Sequence, residues 1–466
     1  MSLALLFAKA MKPVVVAGAG ISGLALAFEL RRLGVPVLVL ESDGRAGGKI
    51  ESDHRDGYLC ERGPASYLDR SGGIATLAKA LGIDDRVVWA TEAAERRLVA
   101  SGGRLHDTPR TVGEFARSGL LSWSAKARAG LDLLLPRGAS ALGQDESVAA
   151  FARRRLGAVA GERLLEPLVS GLYAGEPEKV SLPSAFPLVA AMERDRRSFL
   201  LAMRREFVAA RSKSAPRLAS FEDGLDELTS ALAKALDQDL RLRARVLRIE
   251  RKTPGFEVAL DEQGTSRTLE ADAVVMALPA HVGCTVASAL DGKIADALAQ
   301  IPYVPVTLVH LGYAASAFQR PLDAYGFFVP PSEPLRILGG IFPTQFFAHR
   351  APSGFHLLSV RTGGARHPEA FTMPDDELLA LADGELRRLV GLEAPPAFVH
   401  IVRHERALPQ YTIGHMDRVR ALEAGEQRHP GLFFHGNAYH NAGVPELVTR
   451  SRKLADRVAS FVRSLD

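Results

Sequence analysis

Four short apolar runs punctuate the chain: Val14-Val15-Val16-Ala17, Val37-Leu38-Val39-Leu40, Ala273-Val274-Val275-Met276 and Leu432-Phe433-Phe434. Each is too short for a buried helix and none alternates with polar residues, so each predicts a strand covered on both faces, as in a parallel α/β sheet. A helical pattern follows the first run from Ile21. Pro279 stops the third run, whose strand is expected to return beside the first. The fourth enters a glycine turn at Gly436, and Gly443-Val444-Pro445 opens a closing helix over Glu446 to Leu465. A glycine turn leading into a helix is a backbone cradle for an anion or a ring.

Between these runs the periodicity changes. Gly57 to Tyr67 is strand-like and contains a Gly63-Pro64 turn, while Thr111 to Leu135 has an amphipathic helical pattern with Phe115, Leu120, Leu121 and Trp123 among Arg117, Lys126 and Arg128. Glu193 to Arg217 is a second, strongly basic helical stretch containing Arg194, Arg196, Arg197, Arg204, Arg205, Arg211 and Lys213, the pattern of a solvated helix face. Phe221 is expected to start a helix running to about Leu236. Short strands are predicted over 240–251, 256–260 and 266–269, with a turn at Glu262-Gln263-Gly264, and a lobe of mixed strands with one helix, Asp375 to Val390, over 304–404. His281, just past a strand, reads as a capping or surface residue.

The first candidate chemistry is Gly18-Ala19-Gly20-Ile21-Ser22-Gly23, placed between a strand and a helix. Gly18 allows a sharp exit from the strand, Gly20 lets backbone approach a pyrophosphate, and Gly23 lets helix and strand pack closely. Ile21 and Ser22 open the helix whose N-terminus would hold the phosphates. Glu41 ends the second strand at the spacing where a carboxylate can accept both ribose hydroxyls, and there it disfavours NADP. Gly47-Gly48, with Arg45 beside them, either form a simple turn between strands or extend the dinucleotide site. The arrangement resembles the amine-oxidase-like flavoprotein superfamily and moves the expected cofactor from NAD to FAD.

Composition bounds the alternatives. With 466 residues, 47% hydrophobic and 24% charged, the chain suits a folded protein of two or three domains. Cys60 and Cys284 are its only cysteines, too few for a disulfide framework, and no Cys-x-x-Cys occurs, so a reducing, cytoplasmic setting and no metal site are expected. The net charge of +4 is small and accompanies no nucleic-acid motif, which favours a membrane surface or an anionic substrate over nucleic acid. No run reaches transmembrane length. Met1 to Ala10 lack the form of a signal peptide and predict a disordered or alternative start, with Met11 beginning the first strand.

Further pieces sharpen the resemblance: Arg45-Ala46-Gly47-Gly48, Glu61-Arg62-Gly63-Pro64, Arg96-Arg97-Leu98-Val99, Gly171-Leu172-Tyr173-Ala174-Gly175, Phe186-Pro187, Met192-Glu193-Arg194, Gly326-Phe327-Phe328-Val329-Pro330, Pro409-Gln410-Tyr411 with Gly414-His415, and Gly436-Asn437-Ala438-Tyr439. Across nearly its whole length the chain resembles the oxygen-dependent porphyrinogen oxidases, most closely those of the bacterial protoporphyrinogen IX type. The resemblance implies an α/β fold, α+β as a whole, with three units. These are a discontinuous Rossmann-like FAD domain (11–95, 218–299 and 425–466), a mixed-sheet substrate domain (96–110, 180–192 and 300–424) and a helical membrane-associating domain (111–217), with 180–192 shared by the last two. It places Gly63, Pro64, Val246, Ala277, Gly436, Gly443 and Val444 with the fingerprint residues at FAD, Arg97 on a substrate propionate, and Gly175 at the macrocycle. It also raises the membrane-surface reading of Thr111 to Leu135, on the inner face of the cell membrane.

The chain departs from the family pattern in places. Ala65 stands where asparagine is usual beside flavin and substrate, Phe328 where leucine clamps a pyrrole ring, and His440-Asn441-Ala442-Gly443-Val444-Pro445-Glu446 replaces a more regular terminal motif. The implied reaction is the six-electron oxidation of protoporphyrinogen IX by oxygen through FAD, releasing hydrogen peroxide, with no catalytic acid or base assigned. Coproporphyrinogen III is the alternative substrate; it would need extra cationic contacts for its four propionates, which the sequence does not place. Amine oxidation, carotenoid desaturation and a non-catalytic tetrapyrrole-binding flavoprotein are the other readings. Pathway logic adds ferrochelatase as a partner, because the product is photoreactive and poorly soluble.

Overall fold

A computed structural model describes residues 11–138, 143–196, 198–210, 217–440 and 443–465. The readings of Met1–Ala10, Arg197, Arg211, Lys213 and Asn441-Ala442 fall outside them. The four apolar runs do form one sheet, all parallel, in the order Leu240–Arg241, Val37–Leu40, Val14–Ala17, Ala273–Met276 and Leu432–Phe434. Val14 pairs with Val37 on one side and Ala273 on the other. Every residue of the three strands Val14–Ala17, Val37–Leu40 and Ala273–Met276 is buried. Helix Ile21–Arg32 and the closing helix Val444–Arg463 cover one face, with Leu24, Leu26, Leu30, Leu454 and Val458 in a shared core. A three-stranded antiparallel sheet, Ala244–Arg251, Phe256–Glu262 and Thr265–Ala271, packs on the other.

The second large sheet has seven strands, in the order Phe398–Pro409, Tyr303–Ala314, Phe355–Gly363, Ile337–Ile341, Gly326–Phe328, Arg97–Ser101 and Arg104–Asp107. Its back face is closed by helix Asp375–Val390 through Leu378, Ala382 and Leu386, leaving the opposite face toward the parallel-sheet unit. Helices between 112 and 210 form a separate core around Phe151, Val169, Leu182 and Tyr411. That core is tied internally by the fully buried Arg155, whose Nε lies 2.5 Å from Asp132, and by Arg154, which reaches Glu146 and Glu193.

Three local expectations change. Phe221 ends a strand, Leu218–Phe221, instead of starting a helix: Gly224, at φ +114°, turns the chain and the helix runs over Asp226–Leu236. The amphipathic stretch from Thr111 is broken into helices Val112–Arg117 and Trp123–Gly130, each with its own side-chain N-cap, Thr111 and Ser122. The basic stretch from Glu193 spans the end of helix Pro187–Arg196 and helix Phe199–Ala210, with Arg217 beside the next strand. His281 lies in the first turn of helix Ala280–Ala287, half-buried, its ring edge-on to Tyr303. Cys60 and Cys284 are both free thiols.

Candidate active site

The glycine fingerprint forms a cradle. Gly18 has φ +102°, and a Cβ there would sit 2.7 Å from the Ala277 carbonyl oxygen; at Gly23 it would sit 2.0 Å from that of Gly18. Around Gly20, by contrast, a Cβ would meet nothing within 4 Å, and Gly20 is the N-cap of helix Ile21–Arg32 without any side-chain cap. The first turn of the helix therefore starts without a side-chain cap, at the positive end of the helix dipole, beside the open position at Gly20. Gly48 closes the other side, its Cβ direction 3.2 Å from the Gly20 Cα. Arg45 braces this turn, donating to the Gly48 carbonyl and to Glu51, each at 2.6 Å.

Glu41 is buried beside the cradle. One carboxylate oxygen accepts the Ala19 N–H at 2.7 Å and the other the Asp43 N–H at 3.0 Å, which couples the carboxylate's position to the phosphate loop. A second uncapped helix start, Gly443 before Val444–Arg463, belongs to the same unit. Ala277 donates to Ala17, while Val246 lies on the antiparallel sheet, paired with Leu260 at a bulge. Gly63 is forced by the close approach of Lys49, since a Cβ there would meet the Lys49 carbonyl oxygen at 2.0 Å. Pro64 and Ala65 follow in the same half-exposed turn. Open space at Gly20, an uncapped helix start beside it and a buried carboxylate together fit an adenosine diphosphate moiety, and hence FAD.

Where the cradle unit meets the seven-stranded sheet, the contacts are polar and specific. The Lys49 Nζ donates to the Arg406 carbonyl at 2.7 Å and to that of Ala407, and lies 5.4 Å from the Tyr303 ring centroid. Lys49 is exposed, yet the protein packed around its ammonium desolvates it and brings it down to about 8. The Tyr411 hydroxyl donates to the Asn437 carbonyl at 2.5 Å, and the Tyr439 hydroxyl to that of Leu278 at 3.1 Å. Burial holds both phenols well above the ordinary tyrosine value. Gln410 donates to the Tyr173 carbonyl at 2.8 Å and fills the space at Gly175, where a Cβ would lie 2.4 Å from its Oε1.

The open face of the seven-stranded sheet carries the remaining predicted residues. Arg97 pairs with Gly326, and Phe328, two residues on, pairs with Val99, so Arg97 and Phe328 share a face. Helix Glu166–Tyr173 lies against that face, close enough that a Cβ on Gly171 would strike the Phe328 ring at 2.1 Å. Arg97 is exposed, its guanidinium 5.6 Å from the Tyr325 ring centroid, at a cleft of about 510 Å³ with His106, Arg110 and Arg117. Arg97, Phe328 and Gly175 are thus gathered along one face, while Ala65 belongs to the turn on the cradle side.

Sequence reasoning missed three residues here: Lys49, Tyr303 and Arg361, the last in the same row of the open sheet face as Phe328, which pairs with Gly339 as Gly339 does with Arg361. The position of Lys49 directly after Gly47-Gly48 was a usable signal. Tyr303 and Arg361 carried none, because only strand pairing brings the one beside Lys49 and the other onto the face of Phe328.

The architecture defines a class: a dinucleotide-binding α/β unit whose cleft opens onto a mixed sheet and a helical cap, the build of a flavin-dependent oxidoreductase. The chain belongs to the flavin containing amine oxidoreductase family, whose profile matches residues 21–459. It is 32% identical to the coproporphyrinogen III oxidase of Propionibacterium freudenreichii, over 96% of this chain and 90% of that protein. It is 31% identical to the chloroplastic protoporphyrinogen oxidase of Nicotiana tabacum, over 96% and 85% respectively. A crystal structure from Exiguobacterium sp. 255-15, provisionally assigned as a protoporphyrinogen oxidase, superposes with a TM-score of 0.81 at 26% identity, covering 96% of this chain and 99% of that one.

Proposed function

We propose that this enzyme oxidises a carboxylate-bearing porphyrinogen, protoporphyrinogen IX or coproporphyrinogen III, to the corresponding porphyrin. The observation that carries the reading is the meeting of the dinucleotide cleft with a sheet face on which Arg97 and Phe328 stand together under helix Glu166–Tyr173. A flat macrocycle with acidic side chains suits that combination: an aromatic ring can stack on a pyrrole, and a guanidinium can grip a carboxylate through two parallel hydrogen bonds. The relatives named for this chemistry cover the chain almost end to end.

When bound, FAD supplies a two-electron acceptor that oxygen can restore. One porphyrinogen and three molecules of oxygen then give one porphyrin and three of hydrogen peroxide, so six electrons and six protons leave the macrocycle. The chain's residues have positioning work. Arg97 anchors a propionate, Phe328 and the Gly171–Gly175 segment set the ring plane, and the packed Tyr173, Tyr411 and Gln410 exclude water. Pyrrole protons leave to solvent, and no side chain is assigned as general base.

The three-unit division set out from the sequence, the cofactor contacts assigned to Ile21, Ser22, Val246, Gly436 and Val444, and a peripheral position on the inner face of the cell membrane belong to this reading, as does ferrochelatase as receiver of the product. No helix among the described residues is long and apolar enough to cross a membrane. The test mixes FAD-loaded protein anaerobically with each porphyrinogen, then admits air while porphyrin fluorescence and peroxide are recorded. Flavin bleaching followed by porphyrin and peroxide is expected. A flavin left oxidised by both substrates overturns the reading and directs attention to amines.

A further inference from the structure

Arg361 is an anomaly. It lies near the end of strand Phe355–Gly363, surrounded by protein under helix Glu166–Tyr173, yet part of its surface stays accessible. Among the described residues it makes no ion pair. Among them its side chain makes one hydrogen bond, from Nη1 to the carbonyl of Gly171. A guanidinium carries five N–H donors and does not shed its proton in proteins. Such a group, largely enclosed and without a counter-charge, is stabilised by an anion brought against it. Burial lowers its proton affinity, opposed only by nearby Tyr325, and no carboxylate acts on it.

Its position is set by register. Arg97 pairs with Gly326, Gly326 with Ile341, and Ile341 with Ser359, so Arg361, two residues past Ser359, stands on the same face as Arg97. Along the next row Phe328 pairs with Gly339 and Gly339 with Arg361. Arg361 therefore flanks the ring-stacking position on the side opposite Arg97. Three strand spacings separate the two arginines, about 14 Å across the sheet.

Resting on the porphyrinogen reading above, we infer that Arg361 is a second carboxylate-binding cation of the site and selects substrates that carry an acidic side chain on every pyrrole ring. Arg97 takes a carboxylate at the mouth and Arg361 one at the inner edge. Coproporphyrinogen III presents a propionate to both edges in any in-plane orientation. Protoporphyrinogen IX carries its two propionates on neighbouring rings and turns vinyl groups to the far edge. Against an unpaired guanidinium a vinyl group leaves the charge desolvated and uncompensated, whereas a propionate neutralises it.

Two variants separate charge from packing. Arg361→Gln retains a donor for the Gly171 carbonyl without the cation, and Arg361→Lys retains the cation without the planar fork. The steady-state kcat/KM for each porphyrinogen is measured, together with the Kd of the FAD-loaded protein for coproporphyrin III and its tetramethyl ester, from porphyrin fluorescence. The wild type is expected to prefer coproporphyrinogen III, and R361Q to lower that preference by about tenfold or more, mostly through KM. Coproporphyrin III binding should weaken by about the same factor, the ester's should change by less than about twofold, and R361K should recover part of the loss.

Equal losses for both porphyrinogens, or for acid and ester alike, would show a packing role under Gly171 and overturn the assignment. Should R361Q fail to fold, the wild type decides: equal binding of coproporphyrin III and its ester overturns it. Turnover of neither porphyrinogen by the wild type is a different result, because it removes the porphyrinogen reading itself.

Discussion

The Lys49 ammonium lies 5.4 Å from the Tyr303 ring centroid and donates to the carbonyls of Arg406 and Ala407, joining the glycine cradle to the last strands of the seven-stranded sheet. Because its pKa is brought down to about 8, Lys49 is cationic below that pH and neutral above it. The charge strengthens both the carbonyl bonds and the attraction to the ring. The pH profile of kcat/KM should therefore show a break near 8, with activity falling on the alkaline side. Lys49→Met should remove the break and slow turnover by about tenfold. Lys49→Arg, which stays charged, should carry the activity plateau to higher pH, and an unchanged break in Lys49→Met would sink the assignment.

Gly20 and Gly23 should separate cofactor binding from folding. Gly23→Ala drives a methyl to 2.0 Å from the Gly18 carbonyl, where backbone must move, and should cost about 3 kcal/mol or more of stability. Gly20→Ala meets only open space in the protein, so the cofactor-free melting temperature should stay within about 2 °C of wild type. FAD affinity should nevertheless fall by at least about tenfold, because the methyl occupies the phosphate approach. Thermal melts without cofactor and fluorescence titration with FAD measure the two effects.

Glu61 is buried with Ser52 and the Leu225 N–H as hydrogen-bond donors and makes no ion pair among the described residues. Burial raises its pKa to about 7, above its unfolded value. A carboxyl shifted in this direction contributes stability that is complete below the unfolded pKa, near 4.3, and lost as pH rises through about 7. Glu61→Gln keeps the size without the charge. Relative to wild type it should gain up to a few kcal/mol at pH 8, and that gain should vanish toward pH 4.5. Paired denaturant melts across that range check the sign, and a gain that grows toward acid would refute it.

Trp123 is 77% and Leu134 73% exposed, with the Lys126 ammonium 4.6 Å from the Trp123 ring centroid. Large apolar side chains held out in water beside basic residues match the contact layer of an anionic bilayer. The protein should sediment with phosphatidylserine-containing vesicles more strongly than with phosphatidylcholine alone. The double variant Trp123→Ala, Leu134→Asp should lower the bound fraction by about tenfold while leaving the melting temperature unchanged, since neither side chain fills the core. Equal binding by variant and wild type would assign the exposed residues no membrane role.

Much of the cofactor unit is legible in the order of residues alone. Gly18, Gly20 and Gly23 stand at intervals dictated by one turn between one strand and one helix, and Glu41 follows at the end of the neighbouring strand. These are local constraints, expressed within 25 residues of contiguous chain, so spacing and residue type carry them. Helix Asp375–Val390 is readable for the same reason: its periodicity is self-contained. Phe221 marks the limit. Its strand exists only because Leu218–Phe221 pairs with Val87–Trp89 and Tyr67–Leu68, far away in sequence.

The substrate face belongs to tertiary structure altogether. Arg97, Phe328 and Arg361 lie in segments separated from one another along the chain, and a slip of one residue in any of the intervening pairings would turn a side chain to the opposite face. Nothing near Arg361 in the sequence marks it as different from a surface arginine. Only the sheet register, and the helix laid across it with the Gly171 carbonyl facing the guanidinium, enclose a positive charge and leave it without a counter-ion among the described residues. The dinucleotide cradle is therefore written into the amino-acid order, because short-range backbone geometry demands glycine and a carboxylate at set intervals. Which cations face the macrocycle is settled by the folded chain, because long-range strand pairing alone sets which side chains share one face.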